Sequence, residues 1–389
     1  MKNIIFILAF TALSVKSYSQ AYPIFGNEIS VTINGLIFGV QDPFISSDGN
    51  TLVFNDANSV PNMNLYYATK VNDSTFNYVG QIAGANETTP NHRNLSSSMD
   101  SSNNYFWTTL RNYNPPTSYE SLMHGTYNSG NVTSIRKIYG DIYITIPNWI
   151  VMDAEISYDG NYLYYDNAYF GSGCGNSCNP QLNIAQKVND STFNKLPNSA
   201  AILSNVNDTN YLIYVPQITK DGLELYFTRG STITGNTEIC VAVRNSPVDT
   251  FSLPSVLVSQ NGWLPEAPSL TTNKNILYYH KENGYMSGYF KIFMRYRTGT
   301  TGITESNKNK VVSIFPNPFS TQTILHTDNF LQNATLTVDN CFGQTVKQIK
   351  NISGQTVTFS RDNLQSGLYF LRLTQDSKVV ATKKIIITD

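Results

Sequence analysis

The seven residues KVNDSTF stand at positions 70–76 and again at 187–193. Chance does not write one heptapeptide twice in a chain of 389 residues. The surroundings repeat as well. DPFISSDGNTLVFND (42–56) and NLYYATK precede the first copy; DAEISYDGNYLYYDN (153–167) and LNIAQK precede the second. The pattern returns without the heptapeptide in VPQITKDGLELYFTR (215–229) and APSLTTNKNILYYHK (267–281), and more weakly in LSSSMDSSNNYFWTT (95–109). Each copy reads as a short apolar strand ending in Ser or Thr, a tight turn, usually Asp-Gly, and a strand of Leu and aromatics. A variable loop and a third, alternating strand follow. VNDSTF then reads as the hairpin into a fourth strand such as YVGQI, repeated because the whole unit is repeated.

Asp48, Asp100, Asp159, Asp221 and Asn273 mark the turns, at spacings of 52, 59, 62 and 52 residues. Four-stranded antiparallel units at such spacing predict an all-β fold, a five-bladed β-propeller. The fifth unit stops near Thr298, after its third strand. The segment EISVTING (28–35) is therefore expected to supply the missing strand, with Glu28 to Ile33 pairing against Lys291 to Arg297 and closing the ring. Composition agrees: Tyr and Phe number 25 and 20, while only 14% of residues are charged, which suits half-buried strands. The net charge is -1 with no basic block, which argues against nucleic acid as a partner.

The cores SSDGNTLVF, SYDGNYLYY and TKDGLELYF resemble the TolB-like, WD40-like propeller repeat over roughly residues 40–300, without the proline usual in that repeat. The resemblance speaks for architecture, since such propellers host many functions.

The two ends of the chain differ from this middle. Residues 1–19 read as a secretory signal peptide: Lys2, a short apolar run from Ile4 to Leu13, and Ser17 and Ser19 flanking a cleavage position. The run is too short to span a membrane, and no later segment is apolar enough. TGTTGITESNKNK covers a linker placed at 301–310. VVSIFPNPFSTQTILH (311–326), ATLTVDNCFGQTVKQI (334–349) and SGLYFLRLTQDSKVVATKKIIIT (366–388) then follow. In order and spacing they resemble the type A sorting domain of the type IX secretion system. That resemblance implies a small, seven-stranded, immunoglobulin-like β-sandwich over 311–389. It implies the outer-membrane translocon as partner and a secreted or cell-surface destination.

Propeller ligands sit at the mouth of the central tunnel, beside the innermost strands. Counting back from the turn marks, positions six or seven upstream hold Asp42, Arg93 or Asn94, Asp153, Tyr214 or Val215, and Glu266. Ten upstream stand Phe38, Pro90, Trp149, Tyr211 and Trp263. Asp42, Asp153 and Glu266 are expected to converge on the axis. Five-bladed glycoside hydrolases of the arabinanase type resemble this, and two carboxylates flanking a glycosidic bond act as acid and base. Glu266, however, lies in the last unit, whereas that resemblance puts its Glu earlier. The acids also suit a structural role against backbone N–H groups. The leading expectation is thus an exported propeller that binds an extracellular glycan or peptide through Trp149, Tyr211 and Trp263 without chemistry; the alternative is a glycosidase using the three acids.

Cys174 and Cys178, in a loop of Gly, Asn and Ser, are expected to form a disulfide, as export allows. Cys240 and Cys341 read as single and buried. His92, His124, His280 and His326 show no metal-ligand spacing, and no phosphate loop or dinucleotide fingerprint appears; no metal and no cofactor are expected. If the tail is the export signal, deleting 311–389 leaves the remaining chain in the periplasm, as read by cell fractionation; normal release of the shortened chain contradicts the assignment.

Overall fold

The computed structural model describes residues 21–389 except 57–61, 87–91, 111–121, 143–145, 170, 172, 174, 260–261, 284–288, 302–311 and 377. The expected signal peptide lies outside the described residues, as does nearly all of the linker. The chain divides into two compact units, 1–303 and 304–389.

The first unit is all-β and propeller-like. Its strands form five sheets, each beginning with an inner strand: Val40–Ile45, Arg93–Met99, Trp149–Ile156, Tyr211–Ile218 and Leu264–Leu270. Each inner strand packs on the next, and the fifth returns to the first. The helical content among the described residues is two single turns, Gly175–Cys178 and Ser199–Ile202.

The inner hairpins close by one device. Ser46 Oγ donates to Asp48 Oδ1 (2.5 Å) and accepts the Thr51 N–H, while Gly49 sits at φ 73°. Ser157–Asp159, Thr219–Asp221 and Thr271–Asn273 repeat the bond. A side-chain oxygen thus caps the turn and the left-handed position goes to glycine, or to Lys274 in the last hairpin. The second hairpin departs from the expected alignment. Asp100 occupies the place of Ser46, not of Asp48: its N–H donates to Asn104 O, and its Oδ1 accepts the Ser102 and Asn104 N–H groups.

The repeated heptapeptide is the outer hairpin. Lys70 pairs with Asp73 at 2.7 Å and Lys187 with Asp190 at 3.1 Å. Asn72 and Asn189 each accept the N–H two residues on. Phe76 and Phe193 are wholly buried, Phe76 against Tyr278 and Phe193 against Phe106, residues of neighbouring sheets.

Ring closure is as expected in kind but broader in extent. Ile29 and Ser30 pair with Met294 and Phe293. Pro23–Phe25 extends the same edge against Arg297–Thr300, a pairing not anticipated. Thr32–Asn34 does not join this edge; it runs parallel to Thr75–Asn77 in the first sheet. The reason is a repeating link between sheets. Ala83 bridges Asn131 and Tyr139 bridges Thr192 in the same parallel sense, so three connectors bind the outer strand of the next sheet.

The second unit buries one core, including Phe319, Leu336, Phe359 and Leu371. The seven strands implied by the resemblance appear as five, because Gln322–Asn340 and Thr345–Ser360 are long. Their pairing register breaks between His326 and Leu331 and again before Leu336, so one bent strand serves in place of two. Cys341 is exposed, not buried as expected, whereas Cys240 is buried; both are free.

Phe193→Ala is expected to destabilise the first unit by about 3–5 kcal/mol in urea unfolding. Val188→Thr, at a 61% exposed position of the same hairpin, is expected to change stability by less than about 0.5 kcal/mol.

Candidate functional site

Every inner strand carries a bulge at the same place. Pairing slips between Gln41 and Phe44, Leu95 and Ser97, Met152 and Glu155, Tyr214 and Gln217, and Glu266 and Ser269. Inside each slip one non-glycine residue has positive φ: Asp42 (49°), Ser96 (49°), Asp153 (54°), Val215 (47°) and Ala267 (54°). Such backbone is strained and persists only where surroundings hold it. The holding groups come from the second strand of the preceding sheet. Asp42 N–H donates to His280 Nδ1 (3.0 Å), Asp153 N–H to Thr108 Oγ1 (3.1 Å) and Ala267 N–H to Thr228 Oγ1 (3.0 Å). The Val215 N–H reaches the paired carboxyls of Asp153 and Asp166.

This ring places the expected residues. In the second sheet the equivalent of Asp42 is Ser96, not Arg93 or Asn94, because the turn alignment shifts with Asp100. Glu266 precedes the bulge residue by one position and is level with Tyr214. Asp42, Ser96 and Asp153 line one small pocket on the axis. Glu266 joins them through His280, whose Nδ1 lies 3.6 Å from Asp42 Oδ1 and whose Nε2 lies 3.5 Å from Glu266 Oε2. Since Nδ1 accepts the Asp42 N–H, the ring proton is assigned to Nε2, facing Glu266. Tyr214 donates its hydroxyl to Glu266 Oε1 at 2.8 Å.

The charges act on one another. Burial pushes the Asp42 carboxyl up to about 7, opposed by His280 and reinforced by Asp153 and Glu266. Burial also raises Asp153, against a hydrogen bond from Ser96 Oγ, with Glu266 raising it further. Asp166 is held well above the carboxylate range by burial and by Asp153. Two carboxyls in contact cannot both ionise, so Asp166 keeps its proton and donates a hydrogen bond to Asp153. One residue pair farther along the axis, burial lifts Glu155 to about 8, with Ser98, Ile218 N–H and Gln217 as partners.

The sequence expectation named Asp42, Asp153 and Glu266, and the structure brings them together. It missed His280 and Asp166 in the site. Their signal was available: the second strands read FND, WTT, YDN, FTR and YHK, always a polar residue behind aromatics, at positions fully or almost fully buried. Trp149 and Tyr211 start their inner strands and Trp263 immediately precedes its own, each four residues before the bulge and half-buried. Trp149 packs on Tyr169 (5.3 Å), Trp263 on Tyr289 and Phe293 (5.8 and 6.0 Å), and Arg229 lies over Tyr211 (5.1 Å). Trp149 and Trp263 thus rest on their own sheets, while Tyr211 also packs against the core shared by the third and fourth sheets. The position ten before Asp100, Pro90, lies outside the described residues; His92 takes that place in the ring. Cys178 is disulfide-bonded, while Cys174, its expected partner, lies outside the described residues. Among the described residues no cluster of three metal-binding side chains occurs.

Residues 313–388 match the family described as the secretion system C-terminal sorting domain. The tail is a sorting domain. No curated protein matches the chain. Among solved structures the chain is similar to the catalytic domain of a GH62 alpha-L-arabinofuranosidase from Coprinopsis cinerea (14% identity, 71% of this chain and 98% of that one, TM-score 0.47). It is also similar to a family 117 glycoside hydrolase produced by Zobellia galactanivorans (13%, 70% and 90%, 0.46) and to an endo-arabinase from Bacteroides thetaiotaomicron (13%, 69% and 96%, 0.44).

The buried acids set a pH dependence. Asp42 and Glu155 hold their protons more tightly folded (about 7 and about 8) than at the ordinary 3.8 and 4.5. Stability from these groups is therefore full below about pH 4 and is lost as pH rises towards 8, each tenfold gain in proton affinity on folding being worth about 1.4 kcal/mol. Glu155→Gln, neutral at every pH, is expected to flatten the stability curve between pH 5 and 8 in urea unfolding; an unchanged slope contradicts the assignment.

Proposed function

We propose that residues 20–300 form an exported, carbohydrate-active propeller in which Asp42 and Glu266 act as acid and base on a glycosidic bond. Leader 1–19, linker 301–310 and sorting domain 311–389 complete the chain in this reading; type IX export to the cell surface or medium follows from the tail's motifs, and the turn motif favours the TolB-like class of repeat. One observation carries the activity. Carboxyl groups from three separate sheets gather around the axis, Asp42 and Asp153 lining one pocket and Glu266 reaching Asp42 through His280, and each lies in the field of the others. Holding the bulges does not call for Asp42 or Glu266: Thr108, Thr228 and His280 accept the N–H groups of Asp153, Ala267 and Asp42.

The environments divide the roles. Asp42 retains a proton near neutrality and is the general acid. Glu266 is the most open of the three, 27% exposed against 13% for Asp42. Oriented by Tyr214, it is the base or nucleophile. Asp153, 5% exposed, is too enclosed to touch substrate; it is a positioning residue that keeps Asp42 protonated. Trp149, Tyr211 and Trp263 offer ring faces for sugars at the strand starts.

A second reading, glycan or peptide binding without chemistry, is favoured by the bonds that commit Asp153 to Ser96 and Asp166. A hydrolysis and binding screen of the full chain on plant and algal polysaccharides separates the two. Asp42→Asn and Glu266→Gln are each expected to lower kcat/KM at least ~100-fold. Turnover is expected to fall as pH rises through about 7, because the acid must hold its proton. Turnover unaffected by both substitutions excludes the mechanism; binding without turnover leaves the second reading.

A further inference from the structure

Away from the axis, a pocket lies between the third and fourth sheets, at their inner turns. Its walls are mainly apolar: Tyr162, Tyr164, Ile184, Leu196, Pro247 and Val248. Arg244 stands among them, only 7% exposed. Its Nε donates to Gly222 O (2.7 Å) and Nη2 to the Tyr164 hydroxyl (3.1 Å), and the guanidinium lies 4.2 Å from the Phe251 ring centre. Nη1 has no hydrogen-bond partner, and no ion pair among the described residues involves Arg244. The acids that line the pocket are engaged elsewhere. Asp159 accepts from Ser157 and Asn161, and Asp221 accepts from Thr219 and from Lys274 at 2.6 Å.

A buried cation without a counter-ion is costly, and removing one partner of a buried pair leaves such a state. Apolar walls with a few convergent polar groups are the usual build of a small-molecule site. We propose that this pocket binds a small amphipathic carboxylate, its acyl or aryl body against the apolar walls and its carboxylate on Arg244. A carboxylate is favoured over a phosphate because a single donor nitrogen lacks a partner, while the second cation lining the pocket, Lys220, has its ammonium over the Tyr158 ring at 4.2 Å. The proposal is independent of the axial carboxylates and of any reaction there.

Calorimetric titration of the full chain with octanoate and with 1-octanol tests it. Octanoate is expected to bind at least tenfold more tightly than octanol. Val248→Trp, at a lip position 74% exposed, is expected to weaken octanoate at least tenfold by filling the pocket without disturbing the core. Arg244→Met is expected to erase the preference for the acid. Equal affinity for acid and alcohol, no octanoate binding at millimolar concentration, or octanoate binding unchanged in Val248→Trp each overturns the proposal. If Arg244→Met does not fold, the first two comparisons decide alone.

Discussion

The first unit depends on a backbone N–H that its own strand cannot satisfy. A bulge in each inner strand turns one residue into left-handed backbone and frees its amide. A buried amide without a partner is expensive, so the preceding sheet must send a polar side chain across the gap. Thr108, Asp166, Thr228 and His280 do this in four places. The same bond that joins neighbouring sheets also fixes which side chains line the axis. Ring closure and site construction are one structural event.

That coincidence explains where the chemistry lies. At two of the four crossings the neutral Thr is replaced by a titratable group, Asp166 or His280. At two of the five bulges the residue is Asp. Asp166 holds its proton against Asp153, and His280 stands between Asp42 and Glu266. Gathering acids in a place short of water costs folding free energy. Sites that tolerate such cost are where function concentrates. Glu155, paired with Gln217 and Ser98 deeper on the axis, shows a second case: a protonated acid serving as a hydrogen-bonding group between sheets.

Much of this was legible because the units repeat. The Asp-Gly turn and the aromatic strand that follows marked the sheets, and the heptapeptide marked the outer hairpin through Asn72, Asp73 and Phe76. Counting back from the turn found Asp42, Asp153 and Glu266. It failed in the second unit because Asp100 takes the part of Ser46, a replacement of one side-chain cap by another that residue identity disguises. The bulges were not legible, since their geometry is set by pairing across the sheet. With no bulge in view, nothing marked the polar residue behind the aromatics, so His280 and Asp166 passed as ordinary strand residues. In the tail, the Pro-Asn-Pro and Ser-Gly-Leu-Tyr motifs identified the sorting domain, while the merging of seven expected strands into five reflects bends that only pairing register reveals.

Acids from three sheets act at the axis as one electrostatic unit. Carbon-13 NMR titration of the Asp42 carboxyl, in the native chain and in Glu266→Gln, reads that unit directly. Titration near 7 in the native chain, moving to lower pH when the Glu266 charge is removed, is the predicted result. A native Asp42 that titrates in the ordinary carboxylate range, or one that ignores the substitution, contradicts it.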